Sequence, residues 1–90
     1  ILIVVLALDG VGNQLVSGPD IVSRGFVYVR ESDELLEEAR SIIEEGVLNC
    51  LDMGISDWGK IKSVIRDSLD DFVWKKTKRR PMILPIIMDV

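Results

Sequence analysis

The stretch that decides the fold is residues 1–8, Ile-Leu-Ile-Val-Val-Leu-Ala-Leu, an unbroken apolar run rich in β-branched side chains. It reads as a buried strand. As a strand it spans roughly 26 Å and as a helix only about 12 Å, so it is too short to cross a bilayer as a helix. No charged segment precedes it as a signal peptide requires. Lacking an initiator methionine and starting inside a strand, the sequence reads as a piece of a longer protein. Asp9-Gly10-Val11-Gly12-Asn13 follows with residues that tolerate positive φ, and Leu15-Val16 begins the return arm of a hairpin. Ser17-Gly18-Pro19-Asp20 interrupts that arm, because proline cannot donate to a ladder and glycine marks bulges. The strand is expected to resume at Ile21 and run to about Val29.

Two helices come next. Ser32 is the expected N-cap of the first, with Asp33 and Glu34 in its opening turn and Leu35, Leu36, Ala39, Ile42, Ile43, Val47 and Cys50 at helical spacing. Gly54 is a natural stop. Ser56 or Asp57 caps the second helix, whose apolar stripe reads Trp58, Ile61, Ile65, Ser68 and Phe72, widened by Val64 and Leu69, and which ends near Lys78. After Arg79-Arg80-Pro81, residues 82–90 (MILPIIMDV) form a last strand, and Pro85 inside it argues for an edge position or a bulge. The predicted fold is α+β in the order β-β-α-α-β, one domain over residues 1–90, with two helices on one face of a three-stranded sheet.

A sheet covered on one side alternates apolar and polar residues, yet the first and last strands are apolar on both faces. The second face therefore needs a cover, and an uncovered apolar face is an interface or an aggregation hazard. Ile3, Val4, Val5, Leu6, Ile83, Ile86 and Ile87 are the candidate interface residues. The competing reading is that strand ends and helix overhang bury both faces within the chain.

At 90 residues there is room for one small domain, which buries about 60–65% of its unfolded surface. Hydrophobic residues at 48% and charged residues at 29% exclude a disordered tail. With no histidine and one cysteine, Cys50, there is no Ser-His-Asp triad, Cys-His pair, cysteine-rich zinc site or intramolecular disulfide. A reducing, cytoplasmic setting fits. Cys50 falls on the apolar stripe as a small core residue. Adjacent acids such as Glu37/Glu38, Glu44/Glu45 and Asp70/Asp71 splay apart, and Glu34 with Glu38, one turn apart, has the look of a solvated helix face rather than a Mg²⁺ site. Gly10-x-Gly12 lacks the third glycine of a dinucleotide fingerprint. No catalytic or metal-ligating residue is expected in this chain.

Charge is divided unevenly. Residues 31–57 carry nine acids against Arg40, while residues 58–81 carry eight bases against Asp67, Asp70 and Asp71. Two such helices attract each other, which is the structural explanation for the asymmetry. The alternative is an RNA contact through Lys75, Lys76, Lys78, Arg79 and Arg80 with Trp74 beside them as a stacking surface. The net charge of −4 counts against it.

Two segments resemble the C-terminal domain of ribonuclease J: GPDIVSRGFVYVRES (18–32) and KRRPMILPIIMDV (78–90). Asp57-Trp58 followed by Lys60-Ile61-Lys62-Ser63 is similar to the start of that domain's second helix, so the resemblance covers the whole chain. It implies a parent enzyme of the metallo-β-lactamase/β-CASP type that processes and degrades RNA as a 5′-to-3′ exonuclease, in some cases as an endonuclease, at a metal centre that usually holds zinc. The His-x-His-x-Asp-His metal motif and the residues that hold the RNA 5′ end belong to upstream domains, and none maps onto this sequence. What the resemblance implies here is an accessory role: a homo-oligomer, in the first place a dimer, that also contacts the parent's catalytic domains, meets RNA through the parent, and has no membrane partner.

Overall fold

The computed structural model describes residues 1–11, 13–24 and 29–90. Its elements are β1 (Leu2–Asp9), β2 (Gln14–Ser23), α1 (Val29–Asp52), α2 (Trp58–Thr77) and β3 (Ile83–Asp89). The sheet order is β2-β1-β3, with β1 antiparallel to β2 and parallel to β3. The most apolar strand thus takes the centre, where both of its edges are paired, and the α+β reading with its β-β-α-α-β order holds. The edge position expected from Pro85 is also what β3 occupies.

β1 and β2 are joined through a turn whose own side chains hold it. Asp9 Oδ1 accepts from the Val11 N–H at 3.0 Å, and Asn13 adopts φ 54°. Asn13 Nδ2 then donates to the Leu51 carbonyl at 3.1 Å, tying the hairpin tip to the last turn of α1. The Gly18-Pro19 interruption is a β-bulge: Val5 pairs with Asp20 and Ala7 with Ser17, so Leu6 alone faces Gly18 and Pro19. Gly18 has φ 84°, and a Cβ there would sit 2.7 Å from the Val5 carbonyl oxygen. A second register shift leaves Val16 as the extra residue between Ser17 and Leu15.

Two boundaries differ from the sequence expectation. β2 ends at Ser23 and α1 already begins at Val29, so the strand does not reach Val29; residues 25–28, where the expectation also fell, lie outside the described residues. Ser32 accordingly lies inside α1 rather than capping it. The β-branched Val29 suggests a strand, but intrinsic propensity is a weak term that a helix of this length, packed along a core, overrides. At its other end α1 closes as read: Gly54 takes φ 75°, its N–H donates to Leu51 O at 3.0 Å and that of Ile55 to Cys50 O at 3.0 Å, the pair of bonds of a Schellman cap. Asp57 caps α2, accepting from the Gly59 N–H at 2.9 Å.

The core lies between the helices and one sheet face. Leu2, Val4, Leu6 and Leu8 of β1 meet Ala39, Ile43, Val47 and Cys50 of α1 and Ile61, Ile65, Leu69 and Val73 of α2, all sealed from solvent. α2 therefore uses successive fourth residues, a ridge along i, i+4, and Leu69 and Val73 take the places expected for Ser68 and Phe72. Phe72 and Val64 pack at the margin, and so does Trp58, whose ring reaches the hairpin turn: a Cβ on Gly10 would lie 3.7 Å from its Cζ2. Buried Cys50 is a free thiol in the core.

Candidate docking face and basic helix end

Alternation along the strands sorts their side chains between two faces. With Leu2, Val4, Leu6 and Leu8 committed to the core, Ile3, Val5 and Ala7 point to the other side. The parallel register sets Leu84 beside Ile3, Ile86 beside Val5 and Met88 beside Ala7, and the antiparallel register sets Val22 across from Ile3. Leu84, Ile86, Met88 and Val22 are exposed by 42%, 43%, 48% and 44%, which for large apolar side chains on one surface is a patch rather than scatter. Among the described residues both helices lie on the opposite face, α1 against β2 and α2 against β3. Taken together the exposed strand side chains amount to a patch of roughly 400 Å², within the range of the largest patch on a typical monomer, which is often functional.

The edges of this sheet are less inviting than its face. Met82 O accepts from the Leu2 N–H at 2.7 Å and the Val90 N–H donates to Leu8 O at 3.1 Å, so alternate residues of β3 from 82 to 90 bond to β1 and those between them turn their backbone groups outward. Pro85 is one of the outward ones, and the donor it lacks would have pointed away from the sheet. The edge is left with a gap in its ladder, which hinders pairing with a further strand. β2, on the other edge, is broken by its two register shifts.

The candidate interface residues divide accordingly. Ile3, Val5 and Ile86 lie on the bare face. Val4, Leu6 and Ile83 are buried in the core and Ile87 packs against it, so these four face the helices and do not line the patch. Leu84, Met88 and Val22 are the patch residues that sequence reasoning missed. A strict period of two counted from Ile86 would have found Leu84 and Met88.

At the far end of α2, Trp74 turns away from the core beside buried Val73 and is 37% exposed. The Arg80 guanidinium lies 4.7 Å and the Lys78 ammonium 5.4 Å from the centre of its ring, within cation–π range. Arg80 also pairs with Asp70. Lys75 pairs with Asp71 at 3.1 Å, and Lys76 reaches across to Glu38 of α1 at 3.6 Å while lying 5.9 Å from the Phe72 ring centre. Lys78 closes the helix in the left-handed region, φ 59°, with its N–H on Trp74 O at 2.8 Å. The Arg79 N–H donates to Thr77 Oγ1 at 3.2 Å. Lys76–Glu38 joins the two helices, while Arg40 stays within α1, on Glu37 at 3.0 Å and Glu44 at 3.7 Å. The hydrogen bond and charge of Glu37, helped by Glu44 and Asp20, raise the Arg40 pKa above its ordinary value.

The residues of this chain do not fit a dinuclear metal centre. It has no histidine, and among the described residues no group of three or more Asp, Glu or Cys side chains is placed to hold an ion. No helix among them is long and apolar enough to cross a membrane.

The sequence model of the family described as Ribonuclease J C-terminal domain matches residues 1–90. The chain belongs to this family. It is 48% identical over 90 residues to ribonuclease J2 of Bacillus subtilis strain 168, 46% identical over 94 aligned positions to a ribonuclease J 2 of Staphylococcus epidermidis, and 43% identical over 90 residues to that of Staphylococcus aureus NCTC 8325. Each match covers the whole chain but 16% of the relative. The ribonuclease J C-terminal domain therefore corresponds here to a small sheet-and-helix unit with one bare apolar face, and the expectation drawn from its two end segments is met.

Proposed function

We propose that this ribonuclease J C-terminal domain is an assembly module of an RNA-processing and RNA-degrading enzyme that works in the cytoplasm. Its sheet face docks against the same face of a second copy and so holds two catalytic units together. The zinc that the family resemblance implies resides in other parts of such an enzyme, and this chain contributes no step of the chemistry. One observation carries the reading: Leu84, Ile86, Met88 and Val22 stand exposed around half-buried Ile3 and Val5 on a face that the helices leave bare. A second copy is the occupant that suits it. The Leu84–Ile3–Val22 row carries no charge to be left unpaired when two copies stack, and the Asp20 carboxylate across from Val5 lies exposed on the β2 edge strand. The gapped edges disfavour strand-to-strand growth and leave face-to-face packing, the sandwich arrangement of two sheets about 10 Å apart.

Two stacked patches bury on the order of 800 Å², short of the roughly 1,200 Å² at the lower end of stable specific interfaces. Met82 and Val90 at the rim, each 65% exposed, bring the area toward that bound. The domain alone should therefore dimerise reversibly, with additional contact supplied by the longer protein. The test is Val5→Arg in the longer enzyme, read by light-scattering mass and by RNA cleavage in the same preparation. The proposal expects a smaller assembly and reduced activity; full activity from a proven monomer would sink it.

A further inference from the structure

We infer that the basic end of α2 is a second site, on the side of the domain away from the docking face, which binds the phosphodiester backbone of single-stranded RNA. Arg80 is fixed by two contacts, the Asp70 carboxylate and the Trp74 ring, and so forms a preset cationic platform. Around it, Lys75 and Lys76 hold their carboxylate partners with side chains more than half exposed, and such surface pairs are weak enough to be exchanged for a phosphate. Lys78 has no carboxylate partner among the described residues and its ammonium rests on Trp74. It occupies a left-handed cap, φ 59°, where glycine carries no steric penalty.

Charge elsewhere gives the site a direction. The acids of α1 repel a polyanion while the end of α2 attracts it, so a strand is steered to one end of the helix layer. Both cations near Trp74 already use its ring, so the site reads phosphate charge and not base identity. Because the helices and the bare sheet face lie on opposite sides, RNA and a second copy can be held at once.

The experiment titrates the chain with a short oligouridylate over a series of salt concentrations, by filter binding and by tryptophan fluorescence. The variant is Lys75→Gln with Lys78→Gly; the glycine suits the left-handed cap, so the helix is retained, as circular dichroism will verify. Two lost phosphate contacts should lower the slope of log affinity against log salt by about 1.4 for a single strand and weaken binding roughly tenfold or more. Ser63→Ala, exposed near the other end of α2, should leave both unchanged. An unchanged slope in the lysine variant would overturn the inference. So would equal binding of polyglutamate, which would assign the site to an acidic protein segment. Failure of the docking proposal moves neither readout, since it concerns the other face.

Discussion

Val4 and Val5 are the same side chain one residue apart, and the fold gives them opposite tasks. Val4 is sealed in the core, while Val5 is half-buried on the bare face between Asp20 and Ile86. Val4→Arg would place an unpaired charge in the core and should cost about 4 kcal/mol or more, enough to unfold a domain of this size. Val5→Arg should change the stability of the single copy by less than about 1 kcal/mol, because its guanidinium can reach water. Paired urea melts of the two variants at a concentration too low for self-association check the face assignment; similar losses in both would contradict it. Gly18 is the other residue with a sharp requirement. Alanine there meets the Val5 carbonyl at 2.7 Å and must also hold φ 84°, so Gly18→Ala should destabilise by about 2 kcal/mol or more in the same melts.

The elements show how far a sequence of this kind can be read. Asp57 and Gly54 announce helix ends through local chemistry, a side-chain acceptor and a left-handed residue, and both stand where the sequence places them. Asp57→Ala should therefore cost about 1 kcal/mol of thermal stability, measurable by calorimetry. The start of α1 was not legible, since Val29 and the residues before it favour a strand by propensity, a weak term that a long helix overrides. Nor was the α2 stripe read correctly in full. Ser68 and Phe72 lie next to the true ridge, and the choice between neighbouring ridges depends on how the helix lies on the sheet, which no local signal records. Leu69→Ala should accordingly lose about 2–5 kcal/mol and Ser68→Ala almost nothing, and the contrast in denaturation midpoint tests the ridge. The bare face was legible as an excess of apolar residues in β1 and β3, but not its members: an unbroken run gives no phase to the alternation, and burial supplies it.

At the scale of the whole molecule, apolar surface and charge are sorted to different sides. One side offers the apolar strand face, the other carries an acidic α1 and the cation-rich end of α2, with Lys76–Glu38 between them. A family defined over all 90 residues, in relatives six times longer, fits a unit whose surface is completed by another body. In the proposed assembly this body is a second copy. The most direct measurement is the solution mass of the 90-residue chain by size-exclusion chromatography with light scattering over a dilution series, beside Val5→Arg. Docking of two copies requires a mass that rises from one copy toward two with concentration, and a variant that stays at one copy throughout. A wild-type chain that remains a single copy at every concentration, indistinguishable from the variant, would contradict it.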